Sequence, residues 1–525
     1  MLNSDTDKIK NSSNNKGIRN VFYNYLGRFG SQAISILATV YMIRELPLQV
    51  YGDYNILFSI YAFIGLFTSF GLGNVIQRFI PEYTNQKQFK NIHLIIFWGI
   101  VVRLISGLFA IGLLALLAGF VGNWLQVPNL INYLRILGPV ILLTLLAVSL
   151  DVALTSLLKQ FATNSALLFF AIIRGMGIYY VVGHNYGLNG LLIVELVAIT
   201  IRCLILLGAY WLETAKFKTA IMQGAQQGPF EKERVLRYGG WAYLNDFGYL
   251  FFNTDTDNFI ISNYLGSAAV GLYAFSNKMS TMLLEWSPIA VASNVISPLV
   301  FGRYAHNQDK QDLNRIFLMI NKANLFFFAP ILAGYFALNE RLIKLVFGEK
   351  YLPAVWLLGF VLVYQIINTF QYPLGLVVFA LEQNQINFQS RIFSIYNLIA
   401  DIILVRLFGV SGVLFATASA VTLKNLFIYF KIRNHIELTW DWRSYVRIFF
   451  NAFLMFVVLW LLRGMQTSIA SLACLAILGL TTYLLATVFN NVFSASELIL
   501  LEQLVGKKIP GISNILKFIT KWNSA

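Results

Sequence analysis

The sequence predicts an all-α polytopic membrane protein of about fourteen transmembrane helices, arranged as two six-helix lobes with two accessory helices. Composition is the first reason: the mean hydropathy is +0.66, and charged residues make up 12% of the chain, about half of their usual share in soluble domains. The second reason is that long apolar stretches follow one another with short polar breaks. The third is that several motifs recur in the same order about 220 residues apart.

The apolar stretches define the predicted spans, because a helix needs about 20 apolar residues to cross a hydrocarbon core. The fourteen spans are expected at residues 20–43, 53–76, 93–119, 130–157, 164–182, 188–212, 239–263, 270–299, 316–338, 354–379, 391–408, 411–431, 446–463 and 468–489. The first nineteen residues have no apolar region followed by a cleavage site. We therefore expect the first span to be retained rather than removed as a signal peptide.

An internal repeat relates the two predicted lobes. The matching segments are Val50, Gly52 and Tyr54 with Ala269, Gly271 and Tyr273; Asn74-Val75-Ile76 with Asn294-Val295-Ile296; Val127-Pro128 with Leu352-Pro353; and residues 186–191 with residues 408–413. The conserved order indicates duplication of one six-span bundle. An even number of spans in each copy gives both copies the same orientation, related by a pseudo-two-fold axis along the membrane normal. Two like halves around a central space are typical of transporters.

The repeat and the polar breaks together predict the domain organisation. We expect a cytoplasmic N-terminal tail at 1–19, an N-lobe at 20–212, a cytoplasmic linker at 213–237, a C-lobe at 238–432, two accessory spans at 446–489 and an amphipathic cytoplasmic tail at 490–525. The tail mixes leucine and isoleucine with four lysines, which is typical of a helix lying in the membrane interface.

The formal net charge of +15 follows from this topology. Lys and Arg concentrate in the breaks on one side of the predicted membrane, which is the positive-inside pattern and places both termini in the cytoplasm. Contact with anionic lipid accounts for the excess charge, so we predict membrane lipids and no nucleic acid as partners. The two cysteines, Cys203 and Cys474, both lie inside predicted spans, which disfavours a disulfide framework or a zinc site.

Ionisable side chains inside a bilayer cost roughly 2.5 to 3.5 kcal/mol each, so each needs a partner, a wet cavity or a function. Embedded basic and acidic residues are nearly equal in number, and neutralisation between helices is one explanation for them. Arg135, Lys322 and Lys424 lie close to span ends, and we expect them to extend towards the headgroups.

Four deeply placed arginines in the first half favour a different explanation. Asp151 and Glu195 are the only acidic residues available to neutralise them in the spans of that half. We therefore predict that at least two of the four arginines lack a carboxylate partner. A water-filled cationic cavity would accommodate them, and the planar guanidinium suits phosphate oxygens. The ligand inferred is anionic, a phosphate or pyrophosphate, and the candidate binding residues are Arg28, Arg103, Arg174 and Arg202.

A second set of polar residues predicts a site for a coupling ion, with sodium or protons as the alternatives. Asn397 and Asp401 are four residues apart and therefore share a helix face. Carboxylate, amide, hydroxyl and carbonyl oxygens suit a hard cation such as sodium. The full candidate set is Asp255, Asp257, Asn397, Asp401, the carbonyl of Val413, and Thr417. A pairing of Asp401 with Arg406 or Lys424 is the alternative.

Three passages resemble one family. They are Tyr51-Gly52-Asp53-Tyr54 continuing through Phe70-Gly71-Leu72 to Arg78-Phe79-Ile80-Pro81-Glu82-Tyr83; Asp255-Thr256-Asp257-Asn258-Phe259-Ile260-Ile261 continuing to Val270-Gly271-Leu272-Tyr273; and Gly409-Val410-Ser411-Gly412. The chain resembles the Wzx-type, or O-antigen, polysaccharide flippases of the multidrug, oligosaccharidyl-lipid and polysaccharide exporter superfamily. The likeness covers residues 20 to about 490.

This resemblance implies two lobes around a central cavity in the bacterial inner membrane. It implies export of an undecaprenyl-pyrophosphate-linked oligosaccharide by alternating access, with a polysaccharide polymerase and chain-length machinery as partners. It also implies that Asp257, or Asp255 in its place, joins Asn397, Asp401 and Thr417 in a sodium site like that of the lipid II flippase branch. No other cofactor is expected.

Two other functions are alternatives. A cation-coupled multidrug antiporter of the same superfamily would need an acidic cavity. A membrane-embedded polymerase or glycosyltransferase would need a sizeable segment outside the membrane, and the longest break is only about twenty-five residues. The chain also lacks a P-loop lysine motif for ATP hydrolysis. We therefore predict a transporter and not an enzyme.

Overall fold

A computed structural model of the chain describes residues 30–222, 228–247, 254–465, 468–494 and 497, and these are helical with no strand among them. The predicted all-α class is confirmed. The helices are α1 at 30–45, α2 (Leu48–Phe67), α3 (Leu72–Asn85), α4 (Phe89–Leu116), α5 (Ala118–Trp124), α6 (Leu130–Ser156), α7 (Gln160–Gly183), α8 (Gly187–Met222), α9 (Lys232–Phe247), α10 (Thr254–Leu265), α11 (Ser267–Glu285), α12 (Pro288–Asn307), α13 (Lys310–Phe347), α14 (Val355–Thr369), α15 (Gln371–Ala380), α16 (Asn384–Gln389), α17 (Ile392–Ile432), α18 (Trp442–Leu461) and α19 (Ile469–Phe489). Two short 3₁₀ helices lie at Glu349–Ala354 and Arg463–Met465.

Ten helical stretches in the described part of the chain are long and apolar enough to cross a membrane. They confirm a polytopic membrane protein, whereas the count of fourteen spans stays a prediction. The predicted N-terminal tail lies outside the described residues, as does most of the predicted amphipathic C-terminal tail.

The long helix α17 is an antiparallel pair of helices. Gly409 has non-helical angles, φ 59° and ψ −139°, and a Cβ on Gly412 would lie 2.1 Å from the carbonyl oxygen of Leu404. Farther from the turn, the rings of Phe393 and Phe427 are 5.8 Å apart. A straight helix of this length would be about 60 Å long, so these contacts require the chain to reverse at Gly409. The two arms correspond to the predicted spans 391–408 and 411–431.

The prediction of one continuous span at 53–76 is wrong, because the helix is interrupted between α2 and α3. Phe70 and Gly71 both have positive φ, 43° and 66°. A Cβ on Gly71 would lie 2.3 Å from the carbonyl oxygen of Gly239. The close approach of α9 therefore explains the glycine, whereas apolar composition alone shows no break.

The predicted span at 270–299 is also interrupted. Helix α11 ends at Glu285, and α12 starts with Ser287 as its N-cap, accepting a hydrogen bond from the Ala290 N–H, and with Pro288 at its first position. The predicted span at 239–263 overlaps α9 and α10, and residues 248–253 between them lie outside the described part.

The contacts group the chain into two compact units, one ending at Gly271 and the other starting at Leu272. In the first unit α8 packs along α6 and α7, and α4 packs against α6. In the second unit α13 packs against α18, which packs against α19. Helices α9 and α10 belong to the first unit. The predicted lobe boundaries, in contrast, follow the internal sequence repeat. The compact units do not test them, so they stay a prediction.

Helices α3 and α9 are joined at their predicted cytoplasmic ends by a charged pair. Arg234 donates two hydrogen bonds to the carboxylate of Glu82, at 2.8 and 3.1 Å, and lies over the ring of Phe79 at 5.2 Å. These hydrogen bonds, assisted by the nearby charge of Arg78, hold the pKa of Glu82 below its ordinary value.

The side chain of Lys322, which we predicted to extend towards the headgroups, is buried and bonds acidic residues at the start of α18 and after α19. Its Nζ donates to Asp441 at 3.2 Å and to the two oxygens of Glu497 at 3.0 and 2.9 Å. Asp441 also caps α18. Its burial acts to raise its pKa, but hydrogen bonds from Ser444 and Lys322 keep that pKa below its ordinary value. Lys322 therefore ties α13 to the start of α18 and to the segment after α19. Lys424 is likewise buried, and donates to Gln371 at 2.9 Å.

Candidate functional site

The described candidate arginines of the first unit and the acids that pair with them lie on α4, α6, α7 and α8, which pack around one another and against α2. Arg174 on α7 forms a closed network there. Its Nε donates to Glu195 at 2.5 Å and its Nη2 to the Tyr54 hydroxyl at 2.9 Å, and that hydroxyl donates to the same Glu195 oxygen at 2.7 Å. Glu195 and Tyr54 are 5% and 6% exposed. The network neutralises Arg174 and joins α2, α7 and α8.

Arg202 on α8 forms a more open ion pair with Asp151 on α6. Its Nη2 donates to Asp151 Oδ2 at 3.0 Å, and the two side chains are 14% and 32% exposed. Arg202 Nε and Asp151 Oδ1 are buried without a hydrogen-bond partner in the described part of the chain. The guanidinium also lies over the ring of Phe170, at 5.7 Å. With one hydrogen bond between them, Arg202 and Asp151 each keep a polar atom that could bind a further group.

Of the candidate arginines that the structure describes, Arg103 on α4 is the one that forms no ion pair with a described carboxylate. Its Nη1 is 3.4 Å from Ser149 Oγ, a long contact, and that hydroxyl donates its own hydrogen to Leu145 O. Arg103 Nε is buried with no hydrogen-bond partner in the same region. The phenol of Tyr61 on α2 lies within electrostatic range of both Arg103 and Arg202. We call Tyr61, Arg103 and Arg202, with Ser149 and Asp151 beside them, the basic site.

The structure thus separates the four arginines predicted to bind phosphate. The two acids that the sequence offers are used as expected, Glu195 by Arg174 and Asp151 by Arg202. Arg103 keeps its charge unbalanced by a described carboxylate, and Arg28 lies outside the described residues. The prediction that at least two of the four lack a carboxylate therefore stays open.

The acidic residues at the start of α10 contact α2. Ser59 Oγ donates to Asp255 at 2.9 Å and accepts from Asn258 Nδ2, also at 2.9 Å. Asp257, two residues on, is 1% exposed. The predicted ion ligands Asp255 and Asp257 therefore lie in a polar part of the first unit, next to α2.

The remaining predicted ion ligands lie on the two arms of α17. Asn397 Nδ2 donates to Asp401 Oδ2 at 3.0 Å, and both residues and Val413 are fully buried. Because Gly412 lies against Leu404, Thr417 on the returning arm is level with about residue 399 of the first arm. These groups offer a carboxylate, an amide and a hydroxyl at one level. Whether they combine with Asp255 or Asp257 in one site stays a proposal.

Sequence reasoning missed two arrangements that the structure shows, the polar neighbours of Arg103 and a buried ion-pair group. Tyr61 and Ser149 look like ordinary span residues, because nothing in their spacing shows that they lie beside Arg103. The buried group Lys322, Asp441 and Glu497 joins positions far apart in the chain. A Ser-x-x-Glu capping pattern at Ser494 was available as a signal: Glu497 accepts from the Ser494 N–H at 2.8 Å and its own N–H donates to Ser494 Oγ at 3.3 Å.

No group of three or more His, Cys, Asp or Glu side chains that could hold a metal ion occurs in the ranges that the structure describes. A sodium ion on α17 would therefore depend on amide, hydroxyl and carbonyl oxygens beside a carboxylate. Such oxygens fit a hard cation.

The apolar helices and embedded charges define a polytopic membrane protein with a basic site in its first unit. The chain belongs to the family of polysaccharide biosynthesis proteins (Polysacc_synt_3), which matches residues 42–356. It is 26% identical over 125 residues to the teichuronic acid biosynthesis protein TuaB of Bacillus subtilis (strain 168), and 23% identical over 172 residues to the lipopolysaccharide biosynthesis protein WzxC of Escherichia coli (strain K12).

These alignments cover 24% and 32% of this chain and only 25% and 33% of the two relatives. The solved structures cover more. The lipid II flippase MurJ in an inward closed conformation has a TM-score of 0.68 at 15% identity, over 89% of this chain and 98% of that one. An inward-facing MATE multidrug transporter of the MOP superfamily has a TM-score of 0.63 at 14% identity, over 77% and 94%. At such identities the likeness shows the fold alone, and it confirms the predicted all-α polytopic architecture.

Proposed function

We propose that this protein moves an undecaprenyl-pyrophosphate-linked oligosaccharide from the inner to the outer leaflet of the bacterial cytoplasmic membrane by alternating access. The proposal is supported by the family, by the names of the curated relatives and by the fold shared with a lipid II flippase. Both termini lie in the cytoplasm in this proposal, and a polysaccharide polymerase with chain-length machinery receives the product.

The observation that carries the proposal is that Arg103 forms no ion pair with a described carboxylate. An unbalanced guanidinium in a span costs several kcal/mol unless water or an anion is near it, and the one hydrogen bond described for this side chain is the long contact with Ser149. An anionic headgroup would supply the missing charge. A neutral or cationic substrate would leave that cost in place.

The second arginine makes a diphosphate a better fit than a single phosphate. Arg103 and Arg202 both lie near the phenol of Tyr61, and each has a buried Nε without a partner among the described residues. Guanidinium groups bind phosphate oxygens through two parallel hydrogen bonds. We place one phosphate at Arg103 and the other at Arg202.

The test is pyrophosphate binding by the purified full-length protein. Arg103→Gln is expected to weaken binding at least tenfold, because a charge-assisted hydrogen bond contributes about 1.5 to 3 kcal/mol. Arg237→Gln is the matched control, since it removes the same charge from an exposed position on α9. Equal pyrophosphate affinities for the wild type and the Arg103 variant would contradict the proposal.

Coupling to a cation gradient is the second part of the proposal, and Asn397, Asp401 and Thr417 would hold the ion with the carbonyl of Val413. A bound sodium ion would neutralise Asp401 in its buried position. Sodium should then raise the melting temperature of the wild type relative to the same concentration of choline, and Asp401→Asn should abolish that difference. A sodium effect that persists in Asp401→Asn would refute this assignment.

A cation-coupled multidrug antiporter is the alternative, and one observation favours it. Asp255 and Asp257 begin α10 beside α2, and acidic groups suit cationic drugs. Expression of the protein would then confer drug resistance that Asp257→Asn removes, without any dependence on Arg103.

A further inference from the structure

Two arginine–carboxylate pairs in the first unit differ in how completely they are bonded. Tyr54 completes the pair of Arg174 and Glu195, because its hydroxyl accepts a hydrogen bond from Arg174 and donates one to Glu195. Arg202 and Asp151 share one hydrogen bond, and each keeps a buried polar atom without a partner in the described region. Asp151 is also the more exposed acid, with 32% of its side chain accessible against 6% for Glu195.

We propose that Asp151 is a built-in competitor of the anionic ligand. It occupies Arg202 when the basic site is empty, gives way to a phosphate group of the ligand, and returns to Arg202 to expel that ligand after translocation. This inference rests on the proposed function, because it takes Arg103 and Arg202 as the ligand's two contacts.

A carboxylate and a phosphate can replace each other at Arg202, because both accept hydrogen bonds from the same guanidinium N–H groups. Asp151 binds Arg202 Nη2 alone and leaves Nε open. A phosphate can therefore approach Nε before Asp151 has left, and a partly exposed carboxylate can move into water. In the pair of Arg174 and Glu195, the arginine Nε already donates to the acid, so a phosphate cannot bind Nε first.

Competition has opposite consequences for binding and for transport. Without the carboxylate, the ligand needs no displacement step and binds more tightly. The same change removes the group that replaces the ligand at Arg202, so release slows and export falls. A residue with a purely structural role would lower both quantities together.

The decisive variant is Asp151→Asn, which keeps the shape of the side chain and removes its charge. We expect the affinity of the purified full-length protein for inorganic pyrophosphate to rise up to about fivefold, the upper end for the loss of one partly exposed competing ion pair. Export, measured as surface polysaccharide on cells that depend on this chain, should fall. Asp151→Glu restores the charge and should return both quantities towards the wild type.

Two controls separate competition from a general gain of positive charge. Glu213→Gln removes an acid from the same helix as Arg202, where Glu213 pairs with Lys159 and Lys216 at 3.1 and 2.7 Å, and it should leave pyrophosphate affinity unchanged. In an Arg202→Gln background, Asp151→Asn should no longer raise the affinity, because the contested guanidinium is gone.

An unchanged or weaker pyrophosphate affinity in a folded Asp151→Asn protein would overturn this inference and leave the flippase proposal standing. A gain of equal size in the Arg202→Gln background would overturn it as well. If the wild type does not bind pyrophosphate and Arg103→Gln changes nothing, both proposals are refuted.

Discussion

Gly52 on α2 and Gly271 on α11, which the internal repeat places at equivalent positions, lie against each other's helices. A Cβ on Gly52 would lie 1.7 Å from the carbonyl oxygen of Ser267, and a Cβ on Gly271 would lie 2.5 Å from that of Leu48. Leu48 and Ser267 are themselves equivalent in the repeat. The contact is therefore reciprocal within the first unit: each glycine faces the carbonyl oxygen of a residue that the repeat makes equivalent to the other's neighbour.

Substitution of either glycine should destabilise the protein. Gly52→Ala places a methyl group inside a carbonyl contact with backbone on the other side, so the helices must separate. Overpacking of this kind costs about 1 to 3 kcal/mol. Thermal unfolding of the detergent-purified protein measures the change.

Gly112→Ala on α4 is the control, because a Cβ there has no neighbour within 4 Å. It should be neutral or stabilising, since alanine favours a helix over glycine by up to about 1 kcal/mol. If Gly52→Ala melts at the same temperature as Gly112→Ala, the close contact of α2 and α11 is not present in solution.

Lys322 should be far more sensitive to substitution than an exposed lysine of the same unit. Its side chain is 3% exposed, and Lys322→Met would leave Asp441 and Glu497 without their shared cation. Breaking a buried pair costs roughly 3 to 5 kcal/mol, a value reduced here because both acids are partly exposed. The melting temperature should fall clearly.

The matched control is Lys344→Met, whose pair with Glu349 is exposed on both sides. Exposed pairs contribute 0 to about 1 kcal/mol, so this variant should melt close to the wild type. Glu497→Gln should lie between the two, because Asp441 continues to bind Lys322. Equal effects of the two lysine substitutions would contradict the buried arrangement.

The junction of α3 and α9 should weaken in acid. Hydrogen bonds from Arg234 hold the pKa of Glu82 below its ordinary value of 4.5. A carboxyl whose pKa is lower in the folded state stabilises the protein above the unfolded pKa, and this contribution is lost as the pH falls through the folded pKa. Glu82→Gln should therefore lower the melting temperature at pH 7 and make little difference once the pH is well below 4.5.

Melting curves of the wild type and of Glu82→Gln between pH 7 and pH 2 measure this effect. The two curves should converge as the pH falls. A difference that stays constant over this range would show that packing of the side chain, and not its charge, stabilises the junction.

Apolar periodicity and the repeat predicted the class of fold well, because burial in a membrane requires long apolar helices. The reversal at Gly409 was predictable for the same reason, since the apolar run is too long for a single span. The break at Phe70 and Gly71 was not predictable, because it depends on how closely α9 approaches. The interruption at Ser287 did carry a local signal, a serine cap followed by Pro288.

The candidate site was predictable only in its chemistry. Counting embedded charges showed that Asp151 and Glu195 had to serve the arginines of the first half. It could not show which acid pairs with which arginine, because that depends on helix rotation. Tyr54 completes the network around Arg174, whereas no described residue does the same for Arg202, and only the three-dimensional arrangement distinguishes the two pairs.

Translocation by the purified protein in liposomes is the most direct test of the central claim. The wild type should move an undecaprenyl-pyrophosphate-linked oligosaccharide across the bilayer, measured by access of a glycan-modifying enzyme added outside. Arg103→Gln should reduce that movement at least tenfold, while Arg237→Gln should not change it. Equal rates for the Arg103 variant and the wild type, or no movement by the wild type, would contradict the account.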